Sequence, residues 1–250
     1  MRPDGRELRR VRRFPALGPT DCAHRYPNWS PDGRRVAYMS GDAIAVGPAG
    51  WRRAWRRDRI VTRIGMWPAW SPDGRRLAFI RREADVVNSL SVVSAAGGRV
   101  RRLVKTNDSL EWPSWSADGG QVLYSTNMVS QPGQIQMWRV SAAGGRPHPL
   151  GRGRSADMAP DGKIAFITGH AVWTMNADGS GRRRVVRHSP GSMVWRLAWS
   201  PDGRRIAYVF YPGRNAPVSR VRIVGRDGRG RRVLDLPRRI DSPLYVHWGS

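Results

Sequence analysis

Hydrophobic and polar positions alternate in short blocks along this 250-residue chain, with no apolar run long enough for a buried helix. A representative stretch reads Trp67-Pro68-Ala69-Trp70, then the polar Ser71-Pro72-Asp73-Gly74, then Arg76-Leu77-Ala78-Phe79-Ile80. Proline presets φ, aspartate accepts local backbone hydrogen bonds and glycine tolerates positive φ, so the polar block is a turn. The apolar block after it is too short for a helix and apolar on both sides, which predicts a strand sandwiched between sheets. The segment before the turn predicts only a brief strand, because Pro68 cannot donate to a ladder. After a polar loop over 81–88, Leu90-Ser91-Val92-Val93 predicts a third strand and Ala95-Ala96-Gly97-Gly98 a hairpin turn. Val100 to Val104, apolar at its ends and charged in its middle, predicts a solvent-facing outer strand.

The same grammar repeats. Trp29-Ser30-Pro31-Asp32-Gly33, Trp70 to Gly74, Trp115-Ser116-Ala117-Asp118-Gly119, Met158-Ala159-Pro160-Asp161-Gly162 and Trp199-Ser200-Pro201-Asp202-Gly203 are spaced by 41, 45, 43 and 41 residues. Trp248 follows 49 residues later. Four strands in a period of this length is the size of a propeller blade. The expected fold is one all-β domain over 1–250, a β-propeller with five complete four-stranded blades at 26–64, 67–105, 112–150, 155–187 and 195–236. Residues 1–14 read as the outer strand, and 244–250 as the innermost strand, of a partial sixth blade. The second and third strands of that blade are missing, so the chain reads as a fragment of a longer product.

The Trp-Ser-Pro-Asp-Gly-Arg-Arg-Ile-Ala-Tyr pattern, with its later Ala-Asp-Gly turn and Arg-Arg-Val outer strand, resembles the repeat of TolB-like propellers over nearly the whole chain. The resemblance implies six blades and an exported bacterial protein in the periplasm or outside the cell, although Met1 to Arg6 lacks the apolar core of a secretory signal. It also implies kinship with the propellers of prolyl-oligopeptidase-type serine peptidases. The fourth copy, with Met158 for Trp and Ala159 for Ser, is expected to pack least like the others.

There are 44 basic residues, all arginine except Lys105 and Lys163, against 19 acidic ones, a net charge of +25. Such a surplus suits a polyanion or an anionic surface, but the arginines recur at matching repeat positions, as general arginine enrichment of a template would place them. Arg52, Arg53, Arg56 and Arg57, interleaved with Trp51 and Trp55, form the densest basic-aromatic cluster and the candidate polyanion contact. Cys22 alone permits no intrachain disulfide or thiolate cluster.

Candidate chemistry is sparse. Asp32, Asp73, Asp118, Asp161 and Asp202 stand one to a blade, whereas a calcium loop needs several oxygens close together; with Gly33, Gly74, Gly119, Gly162 and Gly203 they read as turn residues. Trp29, Trp70, Trp115 and Trp199 read as wedges between blades. No cofactor or metal is expected. No Gly-x-Ser-x-Gly elbow or His-x-x-x-His pair occurs, so no catalytic residue is assigned. Three residues before each wedge stand Tyr26, Trp67, Trp112 and Tyr245, with Trp195-Arg196 shifted by one and Ser155 as the exception. These side chains have two readings: packing under loops, or a channel-mouth anchor for a partner. The expectation is a monomeric, non-enzymatic scaffold that binds a protein or other macromolecule. A substrate-gating peptidase propeller and an arginine-rich polyanion module are the alternatives.

Overall fold

The computed structural model describes residues 24–49, 58–84, 87–128, 133–213 and 220–234. These form twenty strands in five four-stranded antiparallel sheets, and no helix is among them. The first blade holds β1 (His24–Trp29), β2 (Arg35–Ser40), β3 (Ala43–Pro48) and β4 (Arg59–Thr62). The second holds β5 (Met66–Trp70), β6 (Arg76–Ala84), β7 (Val87–Ser94) and β8 (Arg101–Thr106). The third holds β9 (Ser109–Trp115), β10 (Gln121–Asn127), β11 (Ile135–Ser141) and β12 (His148–Arg152). The fourth holds β13 (Arg154–Met158), β14 (Ile164–Thr168), β15 (Ala171–Met175) and β16 (Arg183–Arg187). The fifth holds β17 (Met193–Trp199), β18 (Arg205–Tyr211), β19 (Arg220–Gly225) and β20 (Arg232–Leu234). Strand order within each sheet follows the chain, so every blade is a simple meander. The flanking segments 1–14 and 244–250 lie outside the described residues. One loop is corrected: β6 and β7 pair through Arg82 and Asn88, so most of the 81–88 stretch is hairpin ladder rather than loop.

Second strands carry the core, because each is covered on both faces by neighbouring sheets. Leu77, Ala78 and Phe79 are fully buried, as are Ile164, Ala165, Phe166 and Ile167. At about 25 cal/mol per Å² of apolar surface removed from water, these runs are the main drive for blades to stack.

Each Ser-x-Asp turn is closed by its own side chains. Ser71 is fully buried; its hydroxyl donates to Asp73 Oδ1 at 2.5 Å and accepts the Arg76 N–H at 2.9 Å. Asp73 Oδ1 also accepts the Arg75 N–H, and Gly74 completes the turn at φ +65°. Ser30 with Asp32, Ser116 with Asp118 and Ser200 with Asp202 repeat this arrangement. The serine hydroxyl first, then the backbone N–H, holds these four carboxyls below the usual aspartate range. In the fourth copy Ala159 offers no hydroxyl, and Asp161 takes Arg226 of the fifth blade at 2.8 Å instead.

The repeated tryptophan joins each blade to the one before. Trp70 Nε1 donates to the Asn28 carbonyl at 3.0 Å, Trp115 Nε1 to Ala69 at 3.0 Å and Trp199 Nε1 to Asp157 at 3.1 Å. Arg35 and Arg76 each lay a guanidinium over the next blade's indole, at 4.6 and 4.7 Å, and donate to the next blade's turn carbonyl at Gly74 and Gly119. Met158 cannot donate, and between the third and fourth blades the Ser114 hydroxyl bonds the Ala156 carbonyl at 2.7 Å in its place. Further out, Arg59, Arg101 and Arg183 donate to the turn carbonyls of Ala96, Ala142 and Asp227 in the following blades. Part of the arginine surplus is therefore engaged in tying blade to blade.

Candidate functional site

Each of the five described innermost strands carries a bulge, four of them at the same depth. In β1, Tyr26 and Pro27 oppose a single residue of β2; Trp67-Pro68, Trp112-Pro113 and Ser155-Ala156 do the same in β5, β9 and β13. The first residue of each bulge is left-handed: Tyr26 at φ +60°, Trp67 at +54°, Trp112 at +55° and Ser155 at +52°. A side chain at such φ costs roughly 1–2 kcal/mol, so four repeats hold the same strained turn. In the fifth blade the bulge moves one residue earlier, to Trp195-Arg196, with neither residue left-handed. Leu197 replaces the bulge proline there, and its N–H lies 3.4 Å from Ser155 Oγ.

The bulges turn their side chains onto the axis. Tyr26 meets Trp67 edge-on at 5.8 Å and Trp112 at 6.2 Å, Trp67 meets Trp112 at 4.9 Å, and Trp112 meets Trp195 at 6.0 Å. Contacts from first blade to third and third to fifth run across the ring, so these aromatics close the channel rather than lining its rim. Arg196 crosses the axis too, its guanidinium 4.0 Å from the centre of the Trp112 ring. Arg154 of the fourth blade sits 5.0 Å over Trp195 and donates to the Val194 carbonyl.

Above this layer lies a funnel of about 410 Å³. Trp112, Ser155 and Arg196 form its base, and the motif residues Pro31, Pro72, Pro160 and Pro201 its rim. Two of its lining residues are charged, Asp157 and Arg196. Asp157 Oδ2 accepts the Trp199 backbone N–H at 2.8 Å. Burial raises its carboxyl to about 6, against the lowering effect of that bond and of Arg196. Burial also lowers the Arg196 guanidinium to about 10, with Asp157, Tyr26 and Glu111 opposing. Glu111, bonded to Trp112 Nε1 at 2.9 Å, is raised by burial, and Arg154 is lowered by it.

The structure thus brings together Tyr26, Trp67, Trp112, Trp195 and Arg196. Tyr245 and the basic cluster Arg52, Arg53, Arg56 and Arg57 lie outside the described residues. Glu111, Arg154 and Asp157 were missed from sequence. The signal for Asp157 was its position: one residue before the wedge site, matching Asn28, whose Oδ1 accepts the Trp70 N–H in the same way at 3.2 Å. Among the described residues no group of three or more His, Cys, Asp or Glu is placed to hold a metal, and no helix is long and apolar enough to cross a membrane.

A family model described as the TolB beta propeller domain matches residues 23–172. The Tol-Pal system protein TolB of Anaeromyxobacter dehalogenans is 32% identical over 98 residues, covering 36% of this chain and 22% of that protein. The oligogalacturonate lyase of Dickeya dadantii is 42% identical over 40 residues, 16% of this chain and 10% of the lyase. The matches thus span about a fifth or less of these relatives' own length. A solved structure of a putative TolB from Agrobacterium tumefaciens superimposes with a TM-score of 0.72 at 22% identity, over 85% of this chain and 80% of that one, a likeness of fold. With the family model spanning more than half of its length, the chain belongs to the TolB β-propeller domain family.

Proposed function

We propose that this propeller is a non-enzymatic platform that takes a segment of a protein partner into its axial funnel. The observation that carries this reading is the strained aromatic layer. Four inner strands adopt an unfavourable backbone conformation at one depth, where Tyr26, Trp67 and Trp112 meet one another and Trp112 and Ser155 line the cavity, and strain of this kind clusters at binding sites. Concave sites floored by aromatics, with few polar groups, suit peptide side chains. Kinship with a Tol-Pal system protein supports a protein partner and an exported location, periplasmic or extracellular.

The reading includes a six-position ring, with 1–14 and 244–250 contributing to the sixth position. Arg205 matches Arg35 and Arg76, which reach forward onto the next wedge, and Trp248 is the next wedge by spacing.

The test is selection of peptides from a displayed library on the immobilised protein. Peptides bound in the funnel are expected to weaken at least about 30-fold on the Trp67→Ala, Trp112→Ala double variant, the scale of losing an interface anchor, and to be excluded by Ala117→Trp at the rim. Enriched peptides that bind both variants as well as the parent refute the reading.

A further inference from the structure

We propose that the base of the funnel is a carboxylate-binding site, in which the Arg196 guanidinium, held against the face of Trp112, receives a carboxylate of the incoming ligand. The proposal rests on the funnel being a binding site and adds what it selects.

At the position three residues before the wedge, the other described blades carry Tyr26, Trp67, Trp112 and Ser155, none of them charged. The fifth blade alone places a guanidinium there, and its displaced bulge sends that group across the axis to the third blade. A guanidinium is flat, offers several donors and stays charged when stacked on an indole, which makes it the side chain best suited to a carboxylate at an aromatic base.

Asp157 is the companion. Its structural task is to accept the Trp199 N–H, and at the joint of the first and second blades Asn28 performs that task without a charge. The carboxylate at 157 is therefore not needed to join blades; its distinct effect is to place a negative charge beside Arg196 in the funnel lining. Of the other charged and titratable groups, Tyr26 from β1 and Glu111 from β9 act on Arg196, and Arg154 from β13 acts on Glu111. With both acids ionised the charges of Asp157 and Arg196 in the lining, and of Glu111 and Arg154 behind it, cancel. A ligand carboxylate adds a negative charge, and Asp157, with its carboxyl at about 6, is the group that yields by taking a proton. Entry of the ligand is then coupled to proton uptake: Asp157 becomes neutral, still accepts the Trp199 N–H, and leaves Arg196 to the ligand.

The experiment uses 3-phenylpropionate and its neutral isostere 3-phenylpropionamide, titrated into the whole protein by calorimetry between pH 5.5 and 8. The acid is expected to bind and the amide to bind at least about tenfold more weakly, since a charged hydrogen-bonded pair is lost. Affinity for the acid should fall by about tenfold for each unit of pH above about 6, by linkage to one proton, with proton uptake measurable in buffers of different ionisation heat. Asp157→Asn should remove this dependence and raise affinity at pH 7.5 by about 30-fold, while Arg196→Met should abolish the preference for the acid. Equal binding of acid and amide to the unaltered protein overturns the proposal and leaves the funnel reading standing. No binding of the acid at tens of millimolar also overturns it, as does an acid preference that survives Arg196→Met in a variant with unchanged circular dichroism. Because the acid-amide comparison uses the unaltered protein, the proposal stays open to refutation even where a variant fails to fold.

Discussion

The joints between blades lend themselves to a quantitative test at Trp115. This side chain is 6% exposed, donates its indole N–H to the Ala69 carbonyl at 3.0 Å and lies under the Arg76 guanidinium at 4.7 Å. Trp115→Phe keeps an aromatic ring and removes the donor. The Ala69 carbonyl keeps its ladder partner in Ala78 but loses the indole N–H, at a cost of about 0.5–1.5 kcal/mol. The smaller ring leaves a gap among Ala69, Ala78 and Val122 that adds about 1 kcal/mol. The expected loss is about 1.5–2.5 kcal/mol in urea unfolding followed by circular dichroism, with an unchanged denaturant slope. A double-mutant cycle with Arg76→Met isolates the cation–π contribution, expected at about 0.5–1 kcal/mol. Met158→Phe is the internal control: no indole donor exists at that joint, so a comparable ring there should change stability by less than about 1.5 kcal/mol. A loss at Trp115 no larger than that at Met158 would refute the claim that the indole N–H holds the joint.

Two further outcomes are expected. Asp32, Asp73, Asp118 and Asp202 have folded-state carboxyls below their free value of 3.8, so the unfolded chain binds more protons in acid; their stabilising effect is full above that value and lost as pH falls through the folded one. The urea midpoint should decline below about pH 4, and less so in a fourfold Asp→Asn variant; an identical decline in that variant would exclude these turns as its source. Gly153→Ala should cost about 2–4 kcal/mol, because φ is +144° and a Cβ would stand 2.7 Å from Phe166 and 2.8 Å from Met137; thermal unfolding that is unchanged would contradict this.

The blade was legible in the sequence because its signals are local. Pro72-Asp73-Gly74 makes a turn wherever it stands, and Leu77 to Ile80 can be buried only as a strand between sheets. The fiffold recurrence of these short-range signals set the register without any knowledge of tertiary contacts. The base of the funnel was less legible because its contacts are not local. Tyr26 reaches Trp112 from 86 positions away and Arg196 reaches the same ring from 84 on the other side, and both distances depend on how blades curve round an axis. The left-handed backbone was hidden for a different reason: nothing about Trp67 or Trp112 as a residue type favours positive φ. The proline after three of these residues was the available hint, and Ser155 shares the conformation without it. Asp157 was obscured because its neighbour Met158 breaks the wedge pattern at the very place where alignment to the motif would have drawn the eye.

The kink in the inner strands separates two jobs that are usually entangled in a folded chain. Pairing and stacking are settled by the residues on either side of the bulge, while the bulge residue itself only points inward. Tyr26, Trp67, Trp112 and Ser155 differ in size and polarity yet share one backbone shape. Substitutions at this position can therefore change what the centre of the ring presents while leaving the blades that hold it in place. A lineage of such proteins is free to alter the centre of its ring one side chain at a time, each change read at a common point by its neighbours across the axis.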